Sequence, residues 1–467
     1  MIRTIASRPR GITILVIALI SASAFFVQLG SSRLDSWDEA IYAQAAKEMV
    51  RSGDWITPHW NEKEFFQKPP LLIWLTALLF KFFGVSETTA RAVSAFSAVG
   101  VVLLTLLTAR RFFGELPAVV AAVALLVSAP LFQFARSGTM DVLLTFFILL
   151  AVYAYLKTTD NSRWWLVVGV GCGLAVMTKG AASLPLLVAL LFATVWDRKW
   201  SGRELWAGLL VFIVVGGTWH FAMIYLHGRA FLNDYLGQHV LARAVSGVDE
   251  GPQGILFYLP ALGVFLPLLP FGLFRLWKQR DVPLVIPILC LSIILFYTLI
   301  STKHAWYIVP ALPFLSILVA PARGTALRPW VYALMIVLGV GVTFVNQTRT
   351  RDLKAAHAAI AELSIRASRE SGALGVFPEI DFGPEVLFYS NRHLCVDQET
   401  QHTMARLALC SAAPAHIILP HQDLERLSAK YHLTLLATSG AFAYCRVDLA
   451  GLAQDALVLR SSFADSR

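Results

Sequence analysis

Long apolar runs alternate with short polar connectors through the first 346 residues of this 467-residue chain. They lie near 11–29, 92–109, 116–134, 140–156, 164–178, 181–196, 206–226, 254–274, 283–301, 305–320 and 329–346. A helix of about 16 to 22 residues spans the roughly 30 Å of hydrocarbon in a bilayer. The pattern therefore predicts a polytopic α-helical membrane protein with about eleven transmembrane helices. Two connectors are long and polar, 30–86 and 227–253. After Asn346 the continuous apolar runs give way to mixed sequence. That tail reads as strand (Ala373 to Phe377), helix (Pro384 to Ser390), strand (His416 to Leu419), helix (Gln422 to Tyr431), strand (Leu433 to Ala437) and strand (Ala441 to Val447). Residues 347–467 are thus expected to form a small α/β domain, set apart from a 1–346 transmembrane domain.

The first long connector has internal periodicity. Ser36 and Glu39 have the spacing of a capping box, and Trp37, Ile41, Ala45 and Met49 then recur every four residues until Gly53. This predicts a short amphipathic helix on the membrane face. A second helix is expected to begin at Pro69 and Pro70 and run through LLIWLTALLFKFF to Gly84; 13 apolar residues suit the interface better than a full crossing.

Composition agrees: 57% of the residues are hydrophobic, 15% are charged, and the mean hydropathy is +0.64. Such a chain is too apolar for an ordinary soluble protein. The net charge of +9 invites a nucleic-acid reading, but no aromatic-interleaved basic patch accompanies it. Its placement argues for topology instead. Alternate loops hold Arg3, Arg8 and Arg10; Arg110 and Arg111; Lys157 and Arg163; Arg198, Lys199 and Arg203; Arg275, Lys278 and Arg280; Arg323 and Arg328. Under the span count these fall on one side, which the positive-inside rule makes cytoplasmic. The N-terminus is then inside, and both long loops and the tail are outside. Residues near Ser21 to Ala24 resemble a signal-peptide cleavage site, but an uncleaved first span is the preferred reading. Cys172 and Cys290 lie within spans, whereas Cys395, Cys410 and Cys445 lie in the tail; one disulfide, Cys395 to Cys410, is conceivable, and no spacing suggests zinc.

Several polar residues are candidates for chemistry, and each has a structural explanation beside it. Asp38 and Glu39 stand in a first helical turn, where acidic residues complement the helix dipole and Glu39 completes the cap. Lys68, between Phe66 and two prolines, can snorkel to the interface or grip a phosphate there. Arg136, Lys179 and Lys303 are isolated cations in short outside loops, each costly enough near a membrane to need a partner. Asp141, at the mouth of a span, can pair with Arg136. His239 and Arg243 are four apart and share a helical face, as do Glu87 and Arg91, a pair that reads as structural. Tyr307 reads as an interfacial aromatic.

The stretches WDEAIYAQAAKEMVRSGDWITP (Trp37 to Pro58) and FFQKPPLLIWLTALLFKFFG (Phe65 to Gly84) resemble polyprenyl-phosphate-sugar glycosyltransferases, the family of the aminoarabinose transferases of lipid A and the protein O-mannosyltransferases. ARAV (Ala90 to Val93), RSGTMD (Arg136 to Asp141), TKG (Thr178 to Gly180), HVLARAVSG (His239 to Gly247) and KHAWYIVPALP (Lys303 to Pro313) continue the resemblance in the family's order. It implies a GT-C glycosyltransferase of the bacterial inner membrane with its active site and tail in the periplasm. Asp38 matches the family's catalytic Asp, with Glu39 and His239 in support. Asp141 matches a second acidic position that orients the acceptor or the active-site network. Lys68, Arg243 and Tyr307 match groups on the lipid phosphate, and Lys179 and Arg136 are further candidates for substrate contact.

The implied donor is a monosaccharide on undecaprenyl phosphate. The implied acceptor is lipid A or another envelope glycan, because the first loop is more like the aminoarabinose branch. A protein O-mannosyltransferase-like enzyme and a lipid-linked sugar flippase or transporter remain the alternatives. A transporter would predict midplane polar groups and symmetric halves, whereas the charges here gather at one face. No cofactor is required by the motifs, and a divalent metal ion stays open; Gln67 stands where aminoarabinose transferases often carry Glu, which weakens a site relying on that carboxylate.

Overall fold

A computed structural model describes residues 10–35, 37–199, 202–245, single positions and short pieces between 254 and 276, 282–321, 351–371, 373–376, 379–392, 394 and 415–447. The chain divides into two compact units. The first comprises Met1–Leu29, Phe66–Thr76 and Arg91–Asn346; the second comprises Gly30–Phe65, Ala77–Ala90 and Gln347–Arg467.

The first unit is helical. Among the described residues four helices are long and apolar enough to cross a membrane, Glu87–Phe113, Met140–Lys157, Trp164–Trp196 and Arg203–Ala242, and a bent pair, Glu115–Leu126 with Ala129–Ala135, makes five if counted as one span. The two spans expected at 164–178 and 181–196 form one stretch of 33 residues, interrupted where Gly180 takes φ 53°. The expected span at 329–346 and nine of the 21 residues of that at 254–274 lie outside the described residues, as do Cys395 and Cys410.

Glycines let two of the helices approach closely. A Cβ at Gly169 would collide with the Gly208 carbonyl, and one at Gly208 with the Trp165 carbonyl. Gly173 packs in the same way on Val215. Between helices in lipid, where no hydrophobic drive exists, such backbone proximity and dispersion hold the pair. Two side chains fasten the end of the Arg10–Phe26 helix. Arg136 donates to the carbonyls of Ala24, Phe25, Val27 and Gln28 at 2.8–3.3 Å, and Arg91 donates to Leu29 at 3.0 Å. The last carbonyls of a helix lie beyond its internal ladder, and cations at a helix C-terminus also meet the negative end of its dipole. The expected pairing of Arg136 with Asp141 is thus replaced by carbonyl capping.

The second unit holds a four-stranded mixed sheet in the order Ala373–Val376, Ala415–Pro420, Phe442–Val447, Leu433–Ser439; the first two pair in parallel and the others antiparallel. Ala415–Pro420 is buried along nearly its whole length, with Ile418 in one core beside Leu363, Val376 and Val386, and Ile417 and Leu419 in another beside Tyr431 and Cys445. A strand covered on both faces reads as a continuous apolar run, which AHIILP is. The helix expected from Pro384 begins earlier, at Glu379, so Pro384 lies inside it and withholds one amide from the ladder.

The same unit contains the first loop. Its helix, Asp38–Ser52, ends at Gly53, whose φ of 75° suits the left-handed cap. The N-cap is Trp37 rather than Ser36; Ser36 itself lies outside the described residues, while Glu39 reaches back to accept the Asp35 amide at 2.7 Å. Ala40, Ile41, Tyr42, Ala43, Ala45 and Met49 are all buried, so the helix is covered around most of its girth, partly by Glu379–Ser390, and not merely along one stripe. A hairpin, His59–Trp60 with Lys63–Glu64, turns through Asn61 and Glu62 at φ 54° and 64°, the two-residue geometry that matches strand twist. Glu48 accepts the amides of Asn61 and Glu62 at 2.9 and 3.0 Å, and Asn61 exchanges two 3.0 Å hydrogen bonds with the backbone of Leu394. Glu87 meets Arg33 at 2.8 Å and the Tyr389 hydroxyl at 3.0 Å, in place of the pairing with Arg91 that the spacing suggests.

Candidate functional site

In the first unit the candidate residues converge on the turn after Lys179. The Trp164–Lys179 helix ends there because Gly180 adopts φ 53° and ψ −118°, a conformation side chains other than glycine's rarely take. A Cβ at Gly180 would also strike the Tyr235 hydroxyl, and it would lie 3.7 Å from Pro69. The TKG motif therefore presents Lys179 next to the Lys68–Pro69 segment. Lys68 is half-buried there.

Lys179 Nζ lies 2.6 Å from Asp141 Oδ1, and the two side chains are 9% and 3% exposed. The ammonium also stands 5.0 Å above the Tyr307 ring centroid. Asp141 sits in the first turn of the Met140–Lys157 helix, where the dipole favours its charge. One buried cation is thus shared by a carboxylate and an aromatic face. Tyr307 belongs to the 3-10 turn Ala305–Ala311, and its ring packs at 4.7 Å on Tyr297 and at 5.2 Å, edge to face, on His304.

Lys303 is the least expected member. It is 8% exposed and its Nζ donates to the Ile300 carbonyl at 3.0 Å, with no carboxylate partner among the described residues. A buried ammonium without a counter-ion is a place where an anion would be stabilised. The segment carrying Arg243 runs alongside: Ser301 donates its amide to Ala244 and its hydroxyl to Val245, at 3.3 and 3.1 Å. The Arg243 side chain lies outside the described residues. His239 belongs to a π-helical stretch, Asn233–Ala242, and its Nε2 meets Asp234 Oδ1 at 3.3 Å, five residues earlier, the spacing that π winding creates. Arg136, engaged with four carbonyls, serves the end of the first helix.

Asp38 and Glu39 belong to the second unit. Asp38 opens its helix and is partly exposed, whereas Glu39 is 2% exposed and holds the Asp35 amide. Among the described residues no group of three or more His, Cys, Asp or Glu side chains is arranged to hold a metal ion.

The pattern of the family described as dolichyl-phosphate-mannose-protein mannosyltransferase matches residues 67–220. The undecaprenyl phosphate-α-4-amino-4-deoxy-L-arabinose arabinosyl transferase 2 of Pseudomonas fluorescens is 32% identical over 329 residues, 65% of this chain and 58% of that protein. The corresponding transferase of Pseudomonas paraeruginosa is 33% identical over 335 residues, 66% of this chain and 60% of that protein. The crystal structure of ArnT from Cupriavidus metallidurans bound to undecaprenyl phosphate superposes with a TM-score of 0.78, covering 94% of this chain and 98% of that one at 20% identity. The chain is similar to aminoarabinose transferases and protein O-mannosyltransferases. It has the GT-C fold of ArnT, and it spans about three fifths of the length of the curated family members it matches.

The structure brings Asp141, Lys179 and Tyr307 together and gives Asp141 to Lys179, where spacing suggested Arg136. Beside them the structure places Tyr235, not among the candidates from sequence, buried against Gly180 with its hydroxyl 3.2 Å from His220 Nε2. Apolar surroundings hid that tyrosine. The glycine after Lys179 was the available signal.

Proposed function

We propose that the protein is a membrane glycosyltransferase that takes a monosaccharide from an undecaprenyl-phosphate-linked donor. Lys303 carries the proposal: a buried ammonium with no carboxylate partner among the described residues, four positions from Tyr307, whose ring faces Lys179. An anionic head group supplies the missing counter-charge, and the lipid phosphate of such a donor is the anion that the family relationship suggests. As the glycosidic bond breaks, negative charge grows on the departing phosphate. Lys68, Arg243 and Tyr307 stabilise that charge more in the transition state than in the ground state. Asp38 acts as general base on an acceptor hydroxyl; if the acceptor is itself a phosphate, already nucleophilic, Asp38 orients it and balances charge.

Lipid A or another envelope glycan on the periplasmic face is the acceptor, by likeness to the arabinosyl transferases. A protein acceptor is the second reading, supported by the mannosyltransferase match over 67–220. Mass spectrometry of envelope glycolipids and glycoproteins from cells with and without the gene tests both. Loss of a sugar from a glycolipid supports the first reading, loss from a protein supports the second, and unchanged spectra in both fractions count against any transfer. Alkaline phosphatase fused after Asn346 should be active if the tail is periplasmic, and an inactive fusion reverses that assignment.

A further inference from the structure

The tail helix Glu379–Ser390 ends against the first loop, and two of its last residues grip that loop on either side of Asp38. Before Asp38, the Tyr389 hydroxyl accepts the Leu34 amide at 2.9 Å and donates to Glu87 Oε1 at 3.0 Å. Arg33 holds its guanidinium 5.3 Å from the Tyr389 ring centroid and its Nη1 2.8 Å from the same Glu87 oxygen. The hydroxyl thus uses its one proton and a lone pair on two different segments. After Asp38, Lys47 donates to the Phe388 carbonyl at 2.7 Å, with its ammonium 5.0 Å from the Phe388 ring centroid. That carbonyl is among the last four of its helix, where a cation also meets the negative end of the dipole. All of these groups belong to the second unit.

The grip has something to hold. Leu34 is fully buried, so its amide needs a partner inside the protein, and Tyr389 supplies it. Between Leu34 and Lys47 stands Trp37 at φ 67° and ψ −131°, a backbone conformation that side chains other than glycine's rarely adopt. Such strain persists only where the surroundings over-determine it. The hydrogen bonds to the tail upstream and downstream, with the Asp35 amide on Glu39 between them, supply that constraint.

The gripping helix is itself fastened. Glu385, one turn before Tyr389, meets His357 Nδ1 of the Arg351–Ala367 helix at 2.8 Å. Val386 and Leu387 lie in the core shared with Val376 and Ile418 of the sheet.

We infer that Tyr389 is a positioning residue for Asp38: with Lys47 at the second grip, it ties the loop to the tail so that the strained turn at Trp37 holds Asp38 in place. The link to transfer rests on the proposed role of Asp38; the grip on the loop rests on the hydrogen bonds alone.

Tyr389→Phe removes the oxygen and keeps the ring, and so tests the grip with little change in packing. In hydrogen exchange of the full-length chain in detergent, peptides covering residues 31–45 should lose protection by at least about tenfold, while those over 415–420 and 442–447 keep theirs. Parental exchange over 31–45 overturns the inference. So does a loss spread evenly over the tail strands, which marks a residue of general folding.

Turnover per folded molecule should fall by at least about tenfold with KM for the lipid-linked donor unchanged, since a misplacement of about 1 Å can cost about a hundredfold. An unchanged kcat counts against the positioning role. In an Asp38→Asn protein, Tyr389→Phe should cost little further turnover, because the group it positions is already gone. Equal fractional losses in both backgrounds would show that Tyr389 acts elsewhere. If Asp38→Asn alone keeps full activity, the assignment of Asp38 fails, while the exchange result still decides the grip. Should Tyr389→Phe not fold, Lys47→Met removes the second grip and carries the same test. Lys47→Arg, which keeps a donor for the Phe388 carbonyl, should restore both protection and kcat; a Lys47→Met protein that matches the parent in both overturns the inference.

Discussion

Lys179 and Asp141 form a buried ion pair, 2.6 Å from nitrogen to oxygen, and the same ammonium lies over the ring of Tyr307. Removing one partner of such a pair strands the other charge, which costs about 3–5 kcal/mol. Asp141→Ala and Lys179→Ala should each lower the thermal midpoint of the detergent-solubilised protein strongly. The double variant Asp141→Asn/Lys179→Met strands no charge and should recover much of that loss. If it recovers stability but remains inactive, the pair contributes to chemistry as well as to folding. Full recovery of both would make it structural only.

Asp38 has no part in capping its own helix, since Trp37 is the N-cap and the Asp35 amide is bonded to Glu39. Asp38→Asn should therefore fold and express as the parent does while losing about 10²-fold or more in turnover, the usual contribution of a general base. Parental activity would leave Asp38 as a dipole-complementing residue.

A snorkelling cation needs charge and length alone, whereas a phosphate ligand needs a fixed geometry that Arg and Lys do not share. Arg243→Lys is expected to lower turnover by about tenfold, equivalent to about 1.4 kcal/mol of transition-state stabilisation, at unchanged protein level. Lys68→Ala should abolish most of the thermal protection given by added undecaprenyl phosphate. Should both variants behave as the parent, these cations anchor loops, and the lipid phosphate must be sought at Lys303 instead.

Gly180 combines a left-handed φ with a collision between any Cβ and the Tyr235 hydroxyl. Gly180→Ala should cost about 1–3 kcal/mol, the range for strained backbone at such positions, and should displace Lys179. Tyr235→Phe removes the oxygen that the methyl group meets and should restore part of the loss in the double variant. Strict additivity of the two substitutions in thermal unfolding would show that the clash is relieved some other way.

Helix positions and turns were legible because their causes are local. Gly53 and Gly84 stop helices where the apolar period ends, Pro69 and Pro70 start one, and from Ala373 on the strand, helix, strand, helix, strand, strand order follows from short runs and turn residues, although the helix Arg351–Ala367 that opens the tail was not expected. Pairings were harder to read. Spacing suggested Arg136 with Asp141 and Glu87 with Arg91, but each found a partner distant in sequence: Arg136 the carbonyls of 24–28, Asp141 the ammonium of Lys179, Glu87 the guanidinium of Arg33. A charge near a membrane must be satisfied somewhere, and sequence states that need without naming the supplier. His357 and Glu385 left no trace at all, because a single histidine in an alanine-rich helix looks like any surface residue until its neighbours are known.

Asn61 and Leu394 join through a matched pair of 3.0 Å hydrogen bonds across 333 positions of sequence. The hairpin behind the first loop thus owes part of its shape to a residue near the far end of the chain. Grafting the loop of one family member onto another would import a turn without its mate. Transplants of acceptor preference between relatives should succeed only when both segments travel together, and natural variation at the two should be correlated.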